Sequence, residues 1–343
     1  MQLSDFYFEL PAELIARYPL PDRSASRLLT LSGISGNILH QRFDHILNLL
    51  NEGDLLVFND TKVIPARLFG HKTTGGQVEV LIERILGDQR ILAQVRASKP
   101  PHFGDFLLFA NNIQFELIDK RGQFYELRYN QSDRTILEVV EQIGQIPLPP
   151  YMNRLPDKID EERYQTVYAK HKGSVAAPTA GFHFDEALLN SLLAKKVDMG
   201  YLTLHIGAGT FLPVRSHDIR EHKMHAEYLD VPEALCKKIR AAKECGKRVI
   251  AVGTTSLRAL ETASQSGQIE PYQGETSIFI YPGYQFRCVD ALITNLHLPS
   301  STLLMLVCAF GGFDHVMQAY KEAVAQSYRF YSYGDAMWIT PQA

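Results

Sequence analysis

Apolar and polar positions along the chain follow three different periods. Residues 55–58 form an unbroken apolar run, the pattern of a strand covered on both faces. From about residue 65 to 146 the pattern becomes short alternating segments at 78–83, 91–96, 106–109, 113–118 and 124–129, several of them preceded by the turn pairs Gly75-Gly76, Gly87-Asp88 and Arg121-Gly122. Strands that short and that evenly spaced predict a small antiparallel barrel or sandwich. Ile146-Pro147-Leu148-Pro149-Pro150-Tyr151 then reads as a stiff, polyproline-like exit. Beyond it, helical segments at 186–193, 232–245, 257–263 and 317–328 alternate with extended ones at 201–206, 248–252, 276–280 and 291–294. Such alternation predicts a layered α/β domain. The expected architecture is therefore an α/β main domain built from 1–64 and 147–343, with a small antiparallel β-barrel domain inserted at 65–146.

At 343 residues, 45% hydrophobic and 21% charged, the chain has enough apolar surface for a real core, which excludes disordered and fibrous classes. The longest apolar run, at 303–310, is far short of the roughly 20 residues that span a bilayer, so it reads as a buried core element. The N-terminus has neither the cationic start nor the apolar stretch of a signal peptide, which points to a cytoplasmic protein. Cys236, Cys245, Cys288 and Cys308 form no C-x-x-C pair or zinc spacing and are expected to be reduced thiols. A net charge of -3 does not mark a general nucleic-acid binder, so any RNA contact has to rest on local patches. Lys237, Lys238, Arg240, Lys243, Lys247 and Arg248 are one candidate patch, although a solvated helix face is the better explanation of them.

The candidate chemistry lies in polar, glycine-containing blocks, several of which follow strand-like runs. A sheet would bring such blocks to a common edge. In Val252-Gly253-Thr254-Thr255-Ser256-Leu257-Arg258 a strand turns into a helix, whose first-turn N–H groups with Thr254, Thr255, Ser256 and Arg258 suit a carboxylate or phosphate. His205-Ile206-Gly207-Ala208-Gly209-Thr210 resembles a dinucleotide fingerprint, but Leu212 stands where the third glycine belongs, and nicotinamide or flavin binding is excluded. Its Gly207 and Gly209, with Thr210, still suggest a backbone that approaches a ligand closely. His217, His222 and His225 with Glu221 and Glu227 lack zinc-protease spacing, and no metal is expected. Pro178-Thr179-Ala180-Gly181-Phe182-His183-Phe184 holds a histidine between aromatics, an arrangement suited to a purine. Asp60, Asn295, His297, Tyr333 and Asp335 complete the candidate set.

Taken together and in order, these blocks resemble the S-adenosylmethionine:tRNA ribosyltransferase-isomerase family of queuosine biosynthesis. The likeness runs from Phe58-Asn59-Asp60-Thr61-Lys62 to Tyr333-Gly334-Asp335-Ala336-Met337 and includes Thr294-Asn295-Leu296-His297-Leu298-Pro299. Two departures are visible, Ser300 where the family usually has Lys and Phe182 where Leu is common. The resemblance implies that the ribosyl part of S-adenosylmethionine is transferred and isomerised onto the aminomethyl group of 7-aminomethyl-7-deazaguanine in tRNA. Epoxyqueuosine-tRNA, adenine and methionine are the products, S-adenosylmethionine is a consumed co-substrate, and no resident cofactor is implied. Such chemistry needs a base at the carbon beside the sulfonium, a neutral amine and an acid for adenine.

His183, His205, His225 and His297 are the expected proton carriers, with Asp60 and Glu227 orienting an imidazole or holding ribose hydroxyls. Thr254, Thr255, Ser256 and Arg258 are expected to take the methionine carboxylate, and Phe184 or Tyr333 to face the sulfonium. The remaining expected substrate contacts are Thr179, Gly181, Gly207, Gly209, Thr210, Asn295 and Asp335. Replacing Arg258 is expected to slow the reaction without unfolding the protein. Arg84, Arg96, Lys99, Arg121 and Arg128 are phosphate candidates for tRNA, and the protein is expected to be a monomer with no membrane partner. A methyltransferase and a noncatalytic RNA-binding module are the competing readings. The first lacks its glycine-rich loop, and the second leaves the polar blocks without a purpose.

Overall fold

The computed structural model describes residues 1–87, 89–131 and 134–342. Asp88, half of one expected turn pair, lies outside the described residues. The chain begins with β1 (Arg27–Ser32) and β2 (Ile38–Arg42), followed by α1 (Ile46–Leu49), β3 (Leu55–Asn59) and β4 (Thr61–Val63). Next come β5 (Arg67–Lys72), β6 (Gln77–Gly87), β7 (Arg90–Ala97), β8 (Phe106–Leu108), β9 (Gln114–Arg121) and β10 (Phe124–Tyr129), and then α2 (Ile136–Ile143) and α3 (Lys158–Arg163). The remainder runs β11 (His171–Ser174), α4 (Glu186–Ala194), β12 (Asp198–His205), β13 (Glu227–Val231), α5 (Glu233–Glu244), β14 (Val249–Val252) and α6 (Thr254–Ala263). It ends with β15 (Tyr272–Thr276), β16 (Ala291–Asn295), α7 (Thr302–Gly311), α8 (Phe313–Ala325) and β17 (Ala336–Thr340).

β5–β10 close into a six-stranded antiparallel barrel in the order β10-β7-β6-β5-β8-β9. Every second side chain points inward, so Leu68, Val78, Val80, Ile82, Ile91, Ala93, Phe115 and Leu127 share one core. α2 adds Ile136, Val139 and Val140 to it. Its start is fixed by Thr135 and Glu138, which reciprocally cap the first turn.

The main sheet has nine strands in the order β15-β13-β12-β3-β14-β16-β17-β1-β2. β12, β3, β14 and β16 are mutually parallel, while β13 is antiparallel to β12 and β17 to β16. All five residues of β3 are buried, because successive side chains enter different cores. Leu55 and Val57 face the layer containing α5, α6, α7 and α8, whereas Leu56 and Phe58 face the one containing α1 and α4. The 303–310 run becomes α7, largely buried and bent by 118° against α8. Among the described residues no single helix is long and apolar enough to cross a membrane.

One extended segment lies a few residues from its expected place. β15 occupies Tyr272–Thr276 rather than 276–280, because Glu227 to Val231 of β13 pair with Thr276 back to Tyr272.

Candidate active site

The parallel strands β12, β3, β14 and β16 end along one edge of the sheet, where open α/β sheets place their ligands. His205 ends β12, Asn59 ends β3 with Asp60 just after it, Gly253 and Thr254 follow β14, and Asn295 ends β16. The antiparallel neighbours start at the same edge, with Glu227 beginning β13 and Asp335 preceding β17. Blocks scattered over the sequence thus meet because the strand directions bring them there.

At the β16 end, His183 is buried and hydrogen-bonded through Nδ1 to Ser26 Oγ at 2.7 Å, with the Asn295 amide 3.3 Å from Nε2. Asn295 also accepts from Thr179 Oγ1 at 3.1 Å and donates to Tyr331 O at 3.0 Å, which fixes its orientation. Burial, reinforced by the positive charges of Arg329 and Arg23, pushes His183 down to about 3, so the ring is neutral at physiological pH. Beside it is a shallow cleft lined by Asp22, Arg23, Ser26, Arg163, Phe182, His183, Ser332 and Tyr333. Tyr333 donates to Asp160 at 2.8 Å and lies against Phe182, with ring centroids 5.8 Å apart.

At the β3 and β12 ends, Asp60 accepts from Thr203 Oγ1 at 2.7 Å and faces His171 Nε2 at 3.6 Å. Burial raises the Asp60 carboxyl above its ordinary value. His205 bonds through Nδ1 to Thr61 Oγ1 at 2.7 Å, and its ring stacks on Tyr228 at 5.6 Å. Burial, followed by the neighbouring His171, pushes it down to about 4.

At the α6 end, Arg258 and Glu227 form a buried ion pair, 5% and 8% exposed, and Arg258 Nε donates to Ile278 O at 3.3 Å. Arg258 Nη2 and Thr255 Oγ1 are buried without a protein partner. Both residues lie in the first two turns of α6, and each of these atoms can still make a hydrogen bond. A Cβ on Gly253 would lie 3.6 Å from Ala180, which ties this turn to the His183 segment.

Other sequence candidates sit elsewhere or act internally. Phe184 is wholly enclosed between Phe43 and Phe58 and has no free face for a sulfonium. Ser256 donates to Val252 O at the end of β14, and Thr210 is exposed. His297 bonds Thr294 Oγ1 through Nε2 at 2.7 Å and donates its backbone N–H to Tyr320. Burial pushes it down to about 3. Asp335 clips two backbone N–H groups, those of Arg27 at 2.9 Å and Arg329 at 2.8 Å. Gly181 lies under Tyr168, whose OH would be 2.1 Å from an added Cβ. Gly207 and Gly209 meet the carboxylate of Glu83, a barrel residue that no sequence motif singles out. Ser26 and His171 were equally silent, being ordinary polar residues in ordinary surroundings.

Among the described residues no group of three or more His, Cys, Asp or Glu side chains is arranged to hold a metal. Of the phosphate candidates, Arg84 pairs with Glu275, Arg121 with Glu126, Arg128 with Glu116 and, more loosely, Arg96 with Glu79. On α5 and after it, Lys238, Arg240, Lys243 and Arg248 pair with Asp198, Glu233, Asp290 and Asp54, an ion-paired face.

The family model for queuosine biosynthesis protein matches residues 3–339. The chain belongs to the queuosine biosynthesis protein family. It is similar to the crystal structure of an S-adenosylmethionine tRNA ribosyltransferase from Thermotoga maritima, with 35% identity and a TM-score of 0.57. That match covers 98% of this chain and 100% of the other. Of the two sequence departures within this queuosine biosynthesis protein, Ser300 stands at positive φ, its N–H bonded to Phe6 O at 2.9 Å, just before the α7 cap. Phe182 packs on Tyr333 and Tyr164.

Proposed function

We propose that this protein is an S-adenosylmethionine:tRNA ribosyltransferase-isomerase. It moves and isomerises the ribosyl group of S-adenosylmethionine onto the aminomethyl group of 7-aminomethyl-7-deazaguanine in tRNA, giving epoxyqueuosine-tRNA and releasing adenine and methionine. The observation that carries this reading is the convergence of the family's blocks on one sheet edge, where neutral imidazoles and a buried guanidinium nitrogen without a protein partner also lie.

In this reading the methionine carboxylate sits on Arg258 Nη2 and Thr255 Oγ1, which have no protein partner. His205 and His183 are uncharged at physiological pH, the form a base requires, while the same burial makes them weak bases, so position and not basicity assigns them the role. A histidine with a depressed pKa becomes a strong acid once it has taken the proton from the carbon beside the sulfonium. The same imidazole can then protonate adenine as it leaves. The cleft beside His183 would take the adenosine portion, with Asn295 and Thr179 fixing that imidazole. Residues 1–64 and 147–343 act as the catalytic domain, 65–146 as an inserted barrel domain that contacts tRNA, and the protein works as a cytoplasmic monomer with no resident cofactor.

The test is incubation with S-adenosylmethionine and tRNA carrying the aminomethyl base, followed by mass spectrometry of nucleosides and small products. Epoxyqueuosine with adenine and methionine is the expected result. S-adenosylhomocysteine would mean methyl transfer, and tRNA binding without any affinity for S-adenosylmethionine would mean a noncatalytic module.

A further inference from the structure

β6 and β7 are in register up to Ile82 opposite Ala93, and resume with Arg84 opposite Leu92. Glu83 is the extra residue of that bulge, and bulges beside active sites serve to re-aim a side chain. Its carboxylate leaves the barrel wall, is 4% exposed, and accepts from Gly209 N at 3.0 Å. A Cβ on Gly207 would stand 2.2 Å from Glu83 Oε1, although Gly207 has an ordinary extended conformation with φ -84° and ψ 168°. The backbone at 207 would accept a side chain, which would then have to displace the Glu83 carboxylate.

The next residue extends the grip, since Arg84 Nη2 donates to Ala226 O at 2.7 Å, immediately before Glu227. Phe124 of the barrel meets the edge of His225, which in turn packs on Gly209. The barrel thus holds both the loop leaving His205 and the strand start that carries the partner of Arg258. An apolar contact would dock two domains at less cost than a buried carboxylate. Here the like charge of Glu227 adds to that cost, and burial and Glu227 both raise the Glu83 carboxyl.

We propose that Glu83 is a positioning residue for ribosyl transfer, the barrel group that holds the Gly207-Ala208-Gly209 backbone in register with the catalytic edge of the sheet. This rests on the ribosyltransferase reading and adds a residue that the reading did not include.

The experiment measures adenine release from S-adenosylmethionine and aminomethyl-tRNA by wild type, E83A, E83Q, G207A and E83A/G207A, with circular dichroism confirming each fold. E83A is expected to lose at least about tenfold in kcat with KM for S-adenosylmethionine within about threefold, as for a reacting group displaced by a fraction of an ångström. E83Q keeps an oxygen for Gly209 N–H and is expected to recover to within about threefold of wild type. G207A is expected to lose as much as E83A in the wild-type background and to add little in E83A, because the colliding carboxylate is then gone. E83A at wild-type kcat, E83Q as slow as E83A, or a G207A penalty that is the same in both backgrounds would each overturn the proposal. If E83A fails to fold, a fast G207A overturns it alone and a slow G207A with an active E83Q supports it. Wild type that releases no adenine refutes the ribosyltransferase reading itself, a result distinct from an active wild type with unaffected variants.

Discussion

Arg258 offers the sharpest test, because it holds Glu227 in the structure and is proposed to hold the substrate carboxylate as well. Its Nη1 is bound to Glu227, both side chains are nearly inaccessible, and its Nη2 is unpartnered. Replacing it with Met keeps most of the volume but strands a buried carboxylate, which costs about 3–5 kcal/mol. At roughly 2–4 °C per kcal/mol for a domain of this general size, Tm should fall by about 6–20 °C. Adding Glu227→Gln removes the stranded charge and should recover more than half of that loss, since a pair replaced on both sides is far less costly than a pair broken on one. Differential scanning fluorimetry reads this directly. Calorimetry of S-adenosylmethionine binding reads the second job. Losing one charge-assisted hydrogen bond of about 1.5–3 kcal/mol should weaken binding by about ten- to 150-fold, and the Gln/Met double variant should not recover it. An R258M protein that melts within about 2 °C of wild type refutes the energetic argument. A double variant that binds normally refutes the carboxylate assignment.

His183, His205 and His297 are held below their ordinary value by burial, at about 3, 4 and 3, so the unfolded chain takes up protons below about pH 6.5 that the folded chain refuses. Stability should be insensitive to these groups above that pH and fall as pH drops from about 6.5 toward 4, by up to about 1.4 kcal/mol per pH unit for each histidine. His297→Gln should reduce the slope of urea-derived stability against pH by one proton's share, and an unchanged slope would contradict the assignment. Gly181→Ala places a Cβ 2.1 Å from Tyr168 OH and 2.7 Å from Thr166 Cγ2, an overpacking that should cost about 1–3 kcal/mol in denaturant melts. Tyr168→Phe in the same chain should recover part of it, and no recovery would mean that Thr166 sets the cost. His205→Ala should slow adenine release by at least about tenfold, equal to about 1.4 kcal/mol of barrier, while Tm moves by only a few degrees because the ring is partly exposed. Wild-type turnover would remove His205 from the chemistry.

Much of the architecture was legible because burial on two faces leaves a plain signature. The apolar runs at 55–58 and 291–294 became β3 and β16, and the alternating segments became barrel strands whose inward positions share one core. β1, β2 and β17 were not legible. Leu28 to Ser32 find their partners at Ala336 to Thr340, at the far end of the chain, and nothing local marks either segment as central. β15 went astray for a related reason. Gln273, Gly274 and Glu275 are poor strand formers that are extended only because β13 supplies a ladder for them.

The site shows the same division between residue type and partner. Sequence spacing identified His183, His205, Asn295 and Arg258 as groups suited to proton transfer and anion binding, because those properties belong to the side chain itself. It could not supply Ser26 for His183 across 157 positions, Thr61 for His205 across 144, or Glu83 for Gly209 across 126. The Gly-x-Gly pair makes the point most clearly. Two glycines correctly announced that something approaches the backbone closely, and a ligand was the natural occupant to infer. In the structure much of that space holds a carboxylate from the barrel, set there by a one-residue bulge that no periodicity registers. A glycine motif therefore reports a volume to be filled, and only the topology says whether substrate or another part of the protein fills it.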